Sequence, residues 1–540
     1  MNSSHSSQSI ANLESEASAS KHVRKEFWFF IILLLGCGAV RVLFLQHFPL
    51  QIHNDESATG MAIAAFMGPR ETWALKGSSF GGHPNFGFWL SSIPSQITGV
   101  ITLWNIRIAG AIIGSLSILF FSLAVREGIG RGTSLLFLLF ALPFHLHVHY
   151  SRTAYAYNHA LLAAGLFFWL VVRLVKFPTR LNALLAGASV GVCLLVYSAA
   201  HVLPIALMGT MVIRYIMPER RLNEPSPVYP KLSRRWPYLL IGFLLIFGLQ
   251  LHEWITSGYQ SRATSQFILS PGSRRHLELS IGHPLTDVQI FVNSFWNTLR
   301  FFYLEDSSGQ YSFRGAPLNT LASVLACGGL VILLYRAIAR DLMSLMVILA
   351  AVLTVAGSML MVEANFSPHL VLFGLFIPLA CAIGLESIVR PIAYKHTYLA
   401  ALVVLPLGCW WAWWNYNYYL DNMARNSRGR HVWLLNLPID TFSVRSITNF
   451  TGLEEPFGES FFELVYPKSK RTTTPASTAA EAFATFTKNR SSDLCPCLLL
   501  IDDSQASTFA QMLKESGAPF SPYEGTFYDP NLNSTAFLVP

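Results

Sequence analysis

A series of long apolar runs limits what this chain can fold into more than any other feature. Eleven are read, at about residues 27–45, 104–125, 132–149, 157–174, 181–198, 201–217, 237–255, 318–335, 341–361, 368–388 and 397–418. Each is near the length that crosses ~30 Å of hydrocarbon at ~1.5 Å of rise per helical residue. Only 13% of the residues are charged, where a soluble domain carries roughly 25%. The fold class is therefore a polytopic α-helical membrane protein with about eleven transmembrane helices.

The charges orient the spans. Lys21, Arg24 and Lys25 precede the first run and place the N-terminus in the cytoplasm. Every second connection is then basic: Arg126 and Arg131; Arg173, Lys176 and Arg180; Arg214, Arg220, Arg221, Lys231, Arg234 and Arg235; Arg336 and Arg340; Arg390 and Lys395. The short connections between them carry almost no cations, with Arg152 the exception. The net charge of +8 thus reads as an inner-face bias and calls for no nucleic-acid partner. Counting 84–99 as a further span would invert every later loop, so 57–67 and 84–99 are expected to be short helices on the membrane surface. Five arginines in the 256–317 connection run against the bias, but a loop of that length is at the limit of the rule.

The domains follow. Residues 1–26 form a cytoplasmic tail whose first twenty, rich in Ser and Ala, are expected to be disordered. Residues 27–420 form the membrane domain, with a first outer loop at 47–103 and a long outer loop at 256–317. Residues 421–540 return to ordinary polarity and are expected to form a small extracytoplasmic α/β domain. Its helices would lie near 479–489 and 504–516, and its strands near 497–501, 522–528 and 534–539. Asn449, Asn489 and Asn533 each open an N-x-S/T triplet, compatible with a secretory lumen. Leu34-Leu35-Gly36-Cys37 has the form of a lipoprotein cleavage box, but the apolar run continues through it and argues against cleavage. Cys37, Cys193, Cys327, Cys381 and Cys409 are expected to be small buried side chains. Cys495 and Cys497, on either side of Pro496, are too close in sequence for a comfortable disulfide.

Candidate chemistry gathers on the outer face. Asp55 and Glu56 are adjacent carboxylates at a membrane boundary, where burial is costly. Two solvated acids at a helix start would be the bland account. His83, the cluster His145, His147, His149, Tyr150 and Arg152, then Asn158, Tyr197, His201, His252, Glu253, Glu305, Asp306, Glu363 and His369 share that face. Helical neighbours two apart point in different directions, so the three alternating histidines are not expected to hold a metal. Tyr155 and Tyr157 read as interface aromatics. Arg152 stands nearly alone among short-loop outer cations, and a guanidinium suits a phosphate.

The order of these motifs resembles a known family. Arg41 in the first run, then Pro49 and Asp55-Glu56, His83-Pro84 with Trp89-Leu90, Arg107, Ser151-Arg152 and Tyr197 to Pro204 are similar in layout to the GT-C superfamily of membrane glycosyltransferases. The branch that it resembles is that of the protein O-mannosyltransferases and aminoarabinose transferases. The chain departs from that pattern at His83-Pro84-Asn85, where Lys-Pro-Pro is common, at Asn158, often an acid, and at His201, often Arg or Lys.

The resemblance implies an inverting glycosyltransferase. A polyprenyl-phosphate sugar would be the donor, a membrane lipid in its own right. A hydroxyl of a lipid, glycan or protein would be the acceptor, on the outer face of a membrane read as the bacterial plasma membrane. It implies Asp55 as general base and Glu56 as its partner. Arg152, His83 and His201 would bind the donor phosphate, and Tyr197, Asn158 and His369 would contact substrate. The resemblance fixes no cofactor and leaves open a divalent cation shared by Asp55 and Glu56. Two other classes share the layout: a transporter or flippase of lipid-linked saccharides, and a non-catalytic relative. Retained turnover in purified protein separates the first reading from both.

Overall fold

The computed structural model describes residues 26–45, 54–68, 83–216, 234–256, 267–303, 316–361, 367–425, 446–449, 470–473, 478–489, 497–517, 521–522 and 534–539. Each apolar run contains helix, because in a medium without water every backbone N–H and C=O must be paired within its own segment. In chain order these are α1 (26–42), α2 (Asn54–Ala64), α3 (Asn85–Thr98), α4 (Leu103–Gly128), α5 (Arg131–Ala141), α6 (His145–Arg152), α7 (Asn158–Lys176), α8 (Arg180–Leu194), α9 (Val202–Ile216), α10 (Trp236–Thr256), α11 (Pro271–Ile281), α12 (Asp287–Arg300), α13 (Thr320–Ile338), α14 (Leu342–Met359), α15 (Phe373–Lys395) and α16 (Thr397–Arg425). A short 3-10 turn, Ser198–His201, leads into α9.

Several helices start on side-chain caps, which satisfy backbone N–H groups left over by the first turn. Thr102, Thr179, Asn319 and Asp341 accept from the N–H three residues on, opening α4, α8, α13 and α14. Among the described residues, six helical segments are long and apolar enough to cross a membrane, or seven if the α5–α6 pair is one span. This is an integral membrane protein.

The 132–149 run, expected as one span, is broken by a 66° bend between α5 and α6. Pro143 sits in the break. It lacks an N–H and its ring clashes with the preceding turn, so the helix stops there although Leu142 itself keeps helical angles. Free carbonyls at the end of α5 are the result, and the site uses them.

The bundle packs through small residues, which let backbones approach where lipid and side chain are equally apolar. A Cβ on Gly165 of α7 would lie 2.6 Å from the Ser117 carbonyl oxygen of α4. Gly187 of α8 abuts the Leu239 carbonyl, Gly242 of α10 abuts Leu184, and Gly329 of α13 abuts Ala380 of α15. Of the cysteines expected to be buried, Cys37, Cys193 and Cys381 are, but Cys327 and Cys409 are exposed on their helices. An apolar run gives no sign of which face meets lipid and which meets protein.

Beyond α16 the chain forms a five-stranded sheet of order β2-β1-β3-β5-β4, from β1 (Ser446–Asn449), β2 (Lys470–Thr473), β3 (Cys497–Asp502), β4 (Ser521–Pro522) and β5 (Ser534–Val539). β1 is parallel to β2 and β3; β5 is antiparallel to β3 and β4, with Leu500 opposite Ala536. Helices α17 (Ala479–Asn489) and α18 (Asp503–Glu515) give it a core through Ala482, Phe486, Leu499, Phe509 and Leu513. Most of the strand expected at 522–528 lies outside the described residues.

Candidate active site

α2 begins at Asn54, so Asp55 and Glu56 occupy its first turn, where the helix dipole favours carboxylates. Successive helical side chains point ~100° apart, and the two acids accordingly face different partners. Glu56 is fully buried. Its Oε1 accepts from Arg107 Nε at 2.8 Å and its Oε2 from Arg107 Nη2 at 3.1 Å, a two-pronged ion pair between α2 and α4. Oε1 also accepts the Ala154 N–H at 3.1 Å. Asp55 is half-buried, and its Oδ2 accepts the Tyr157 hydroxyl at 2.5 Å.

The segment 152–157 therefore wraps both acids. It can lie close to α4 because Gly110 and Gly114 present no side chains: a Cβ at Gly110 would stand 2.5 Å from the Thr153 carbonyl oxygen, and one at Gly114 would collide with Ser151. Asn158 Nδ2 donates to the Gly110 carbonyl at 2.6 Å, locking the start of α7 onto α4. Tyr157 then meets Tyr197 edge to face, with ring centres 4.6 Å apart. His83 packs against Tyr197 at 5.2 Å and Tyr157 at 6.5 Å. Asp55, Tyr157, Tyr197 and His83 thus form one cluster.

A second cluster is cationic. The buried charged side chains of the described residues are Arg41, Arg107 and Arg152 against Glu56 alone. Arg152 Nη1 donates to the Val40 carbonyl of α1 at 2.6 Å, and Tyr419 lies beside its guanidinium within electrostatic reach of Arg107 and Glu56. Arg41 is held by dipoles instead of a carboxylate. It donates to the carbonyls of Cys37 at 2.7 Å, Ala141 at 3.1 Å and Leu142 at 3.4 Å, the last two freed by the α5–α6 break. Its Nη2 also donates to His147 Nδ1 at 3.1 Å, so the His147 proton sits on Nε2, 3.0 Å from Ser117 Oγ. Arg152 lies within electrostatic reach of both Arg41 and Arg107.

The remaining expected residues fall as follows. His201 ends the 3-10 turn that Tyr197 caps, and its ring is held by the backbone at Leu194 and Val196. His369 is half-buried in the turns before α15, two residues after Ser367, whose Oγ meets the Tyr150 hydroxyl at 2.6 Å. His145 pairs with Asn415 and His147 with Arg41, so these two rings are parts of the packing. The side chains of His252 and Glu253, and all of Glu305, Asp306 and Glu363, lie outside the described residues. Tyr155 and Tyr157, expected at the membrane interface, are instead buried beside the acids. Their spacing and type match both settings, and the difference is the fold of 152–157 over α2.

By sequence Arg41 and Arg107 belong to the family layout without a place in the site, and Tyr157 reads as an interface aromatic. For the arginines a signal existed, since a cation inside an apolar run is rare without a purpose. A divalent cation does not fit the acidic pair as it stands. Glu56 spends both oxygens on Arg107, whose charge would repel a metal, and no three His, Cys, Asp or Glu side chains gather among the described residues.

Residues 82–249 match the family model described as dolichyl-phosphate-mannose-protein mannosyltransferase. The chain is similar to the apo oligosaccharyltransferase of Archaeoglobus fulgidus at 13% identity, covering 94% of this chain and 75% of that one, with a TM-score of 0.49. It is similar to ArnT from Cupriavidus metallidurans bound to undecaprenyl phosphate at 12% identity, covering 95% and 97%, also with a TM-score of 0.49. The Archaeoglobus fulgidus AglB complex with an inhibitory peptide and a dolichol-phosphate matches at 11% identity, covering 94% and 75%, again at 0.49. No curated protein matches the chain. The acids of α2 precede the matched stretch, which carries His83, Arg107, Arg152, Tyr157, Tyr197 and His201. Over that stretch the chain is similar to the dolichyl-phosphate-mannose-protein mannosyltransferases, a family of the GT-C type that the order of its motifs resembles.

Proposed function

We propose that this protein transfers a sugar from a polyprenyl-phosphate donor to an acceptor hydroxyl of a lipid, glycan or protein, with inversion at the anomeric carbon. The observation that carries this reading is the imbalance of buried charge: three guanidiniums, of Arg41, Arg107 and Arg152, against the single buried carboxylate of Glu56. Buried charges are costly unless compensated. A site with surplus fixed cations is built for an anion, and a departing lipid phosphate supplies one. The A. fulgidus and C. metallidurans proteins named above were solved with dolichol-phosphate and undecaprenyl phosphate, which favours that anion here.

In this reading the acceptor oxygen forms a bond to the anomeric carbon as the bond from that carbon to phosphate oxygen breaks. The electron pair leaves with the phosphate. Asp55 takes the acceptor proton, since it is the less buried acid and Glu56 is committed to Arg107. Tyr157 holds Asp55 in place through its hydroxyl. Arg152 meets the phosphate, and His83 and His201 are assigned to it as further donors. Tyr197 lines the sugar side, and Asn158 and His369 contribute to substrate binding, Asn158 through the backbone that it locks. The same proposal takes eleven spans, a cytoplasmic N-terminus, a bacterial plasma membrane and an extracytoplasmic 421–540 domain, supported by the alternation of basic connections.

The test compares wild type with Asp55→Asn in proteoliposomes, with a panel of polyprenyl-phosphate sugars and a membrane extract as acceptor. Donor consumption and product are followed by mass spectrometry. The expected result is turnover by wild type and a loss of about a hundredfold or more in a folded Asp55→Asn protein. Equal turnover by both removes Asp55 from the chemistry. Movement of intact donor across the bilayer without product would replace the transferase reading with transport.

A further inference from the structure

At the far end of α7 from the acids lies a cavity of about 270 Å³. Val171 stands fourteen residues beyond Tyr157, a rise of about 21 Å along the helix. The walls are aliphatic side chains of neighbouring helices, among them Val171 and Leu174 of α7, Val190 of α8, Leu207 of α9 and Leu239 of α10. Arg235 is the one charged residue of this lining, which is almost wholly apolar.

Cations stand beside this lining. Arg235 Nε donates to the Pro178 carbonyl at 3.0 Å, which anchors the guanidinium. Arg180 stacks on the Tyr238 ring at 5.5 Å, one turn along from Arg235. Trp236 beside it is 61% exposed, the setting of an aromatic at headgroup level. Arg173, close by, is offset by Glu127 at 3.2 Å, whereas no carboxylate among the described residues pairs with Arg180 or Arg235.

We propose that this crevice is a binding site for an anionic glycerophospholipid. One acyl chain fills the apolar cavity, and the phosphodiester lies on Arg235 and Arg180. An apolar slot between spanning helices ending in unpaired cations is matched by a molecule with a long hydrocarbon chain and a negative head. A zwitterionic lipid satisfies the slot but leaves the cations half-answered. The polyprenyl phosphate of the reaction proposed above has its phosphate at the opposite end of α7, so the two lipids occupy different sites. The bound lipid wedges α8, α9 and α10 together and stabilises the folded protein in proportion to its occupancy.

The experiment uses the full chain in phosphatidylcholine nanodiscs carrying a trace of photoactivatable phosphatidylglycerol. Crosslinks are mapped by mass spectrometry, and binding is read by competition with unlabelled lipid. Crosslinks are expected on segments 171–175, 186–211 and 235–239. Unlabelled phosphatidylglycerol should displace the probe and phosphatidylcholine should not. Arg235→Gln should weaken binding about fivefold or more, and Leu207→Trp, which fills the cavity without touching charge, should abolish the crosslinks. Both variants are compared as monodisperse protein, and either alone decides the matter. Unchanged crosslinking in a folded variant, equal competition by phosphatidylcholine, or preferential displacement by polyprenyl phosphate would each overturn the proposal.

Discussion

Replacing Glu56 by Gln removes one negative charge and little else. The amide oxygen can still accept from Arg107 and from the Ala154 N–H, so shape and most hydrogen bonds survive. What is lost is the compensation of Arg107, whose side chain is 1% exposed against 0% for Glu56. Stripping one partner from a buried ion pair costs about 3–5 kcal/mol, because the other charge stays buried without an answer. At about 2 °C per kcal/mol for a large domain, the melting temperature in one detergent at one scan rate should fall by about 6–10 °C. Arg107→Gln should cost a similar amount. The double variant leaves two neutral amides able to bond each other, so its loss should fall short of the sum of the singles by about 2 kcal/mol or more, or about 4 °C. A shift under about 2 °C for Glu56→Gln, or strictly additive singles, would show that the pair is hydrated and that α2 is not clamped to α4 by charge.

Tyr157→Phe removes only the hydroxyl that donates to Asp55. A hydrogen bond to a charged group contributes about 1.5–3 kcal/mol, so kcat should drop about tenfold or more while the donor KM stays within about twofold; a changed KM at constant kcat would contradict a role in holding the base. Gly329 and Gly328 form a matched pair, since a Cβ at Gly329 collides with Ala380 of α15 and one at Gly328 meets nothing within 4 Å. Gly329→Ala should lower the melting temperature, while Gly328→Ala should leave it unchanged or raise it slightly through helix propensity. Outside the spans, Glu278 accepts the Leu285 N–H at 3.2 Å and Arg274 at 3.1 Å, and these hold its carboxyl below the usual glutamate range. The lowered folded value means that the α11–α12 corner is secured above the usual glutamate pKa and released as pH falls through the folded one. Hydrogen exchange of peptide 282–287, corrected for intrinsic rate, should show protection lost on that acid side and, in Glu278→Gln, reduced at neutral pH.

The spans were legible because the bilayer makes only a composition demand: a run long and apolar enough becomes a helix whatever its neighbours are. The break at Pro143 is local chemistry too, yet the 132–149 run reads as one span by composition, because hydropathy does not register a missing N–H. The acidic pair was legible as an anomaly, two charges where charge is costly. Its division of labour was not. Glu56 finds Arg107 51 residues away and Asp55 finds Tyr157 102 residues away, and adjacent positions in sequence give no hint that one acid is buried and paired while the other stays half-exposed. The same holds for Tyr157, whose pattern fits an interface aromatic equally well, and for Cys327 and Cys409, whose runs look like those of their buried counterparts.

The sequence by itself determined that this chain lives in a membrane and that each long apolar run holds helix. Those are properties of single segments meeting a uniform solvent. Only the tertiary structure decided that Glu56 pairs with Arg107 while Arg152 lies within electrostatic reach of both Arg107 and Arg41, that segment 152–157 closes over α2, and that an apolar slot opens beside Arg235. Those are properties of pairs of segments, set by how closely glycine-lined helices approach and by which carbonyls a proline break leaves free.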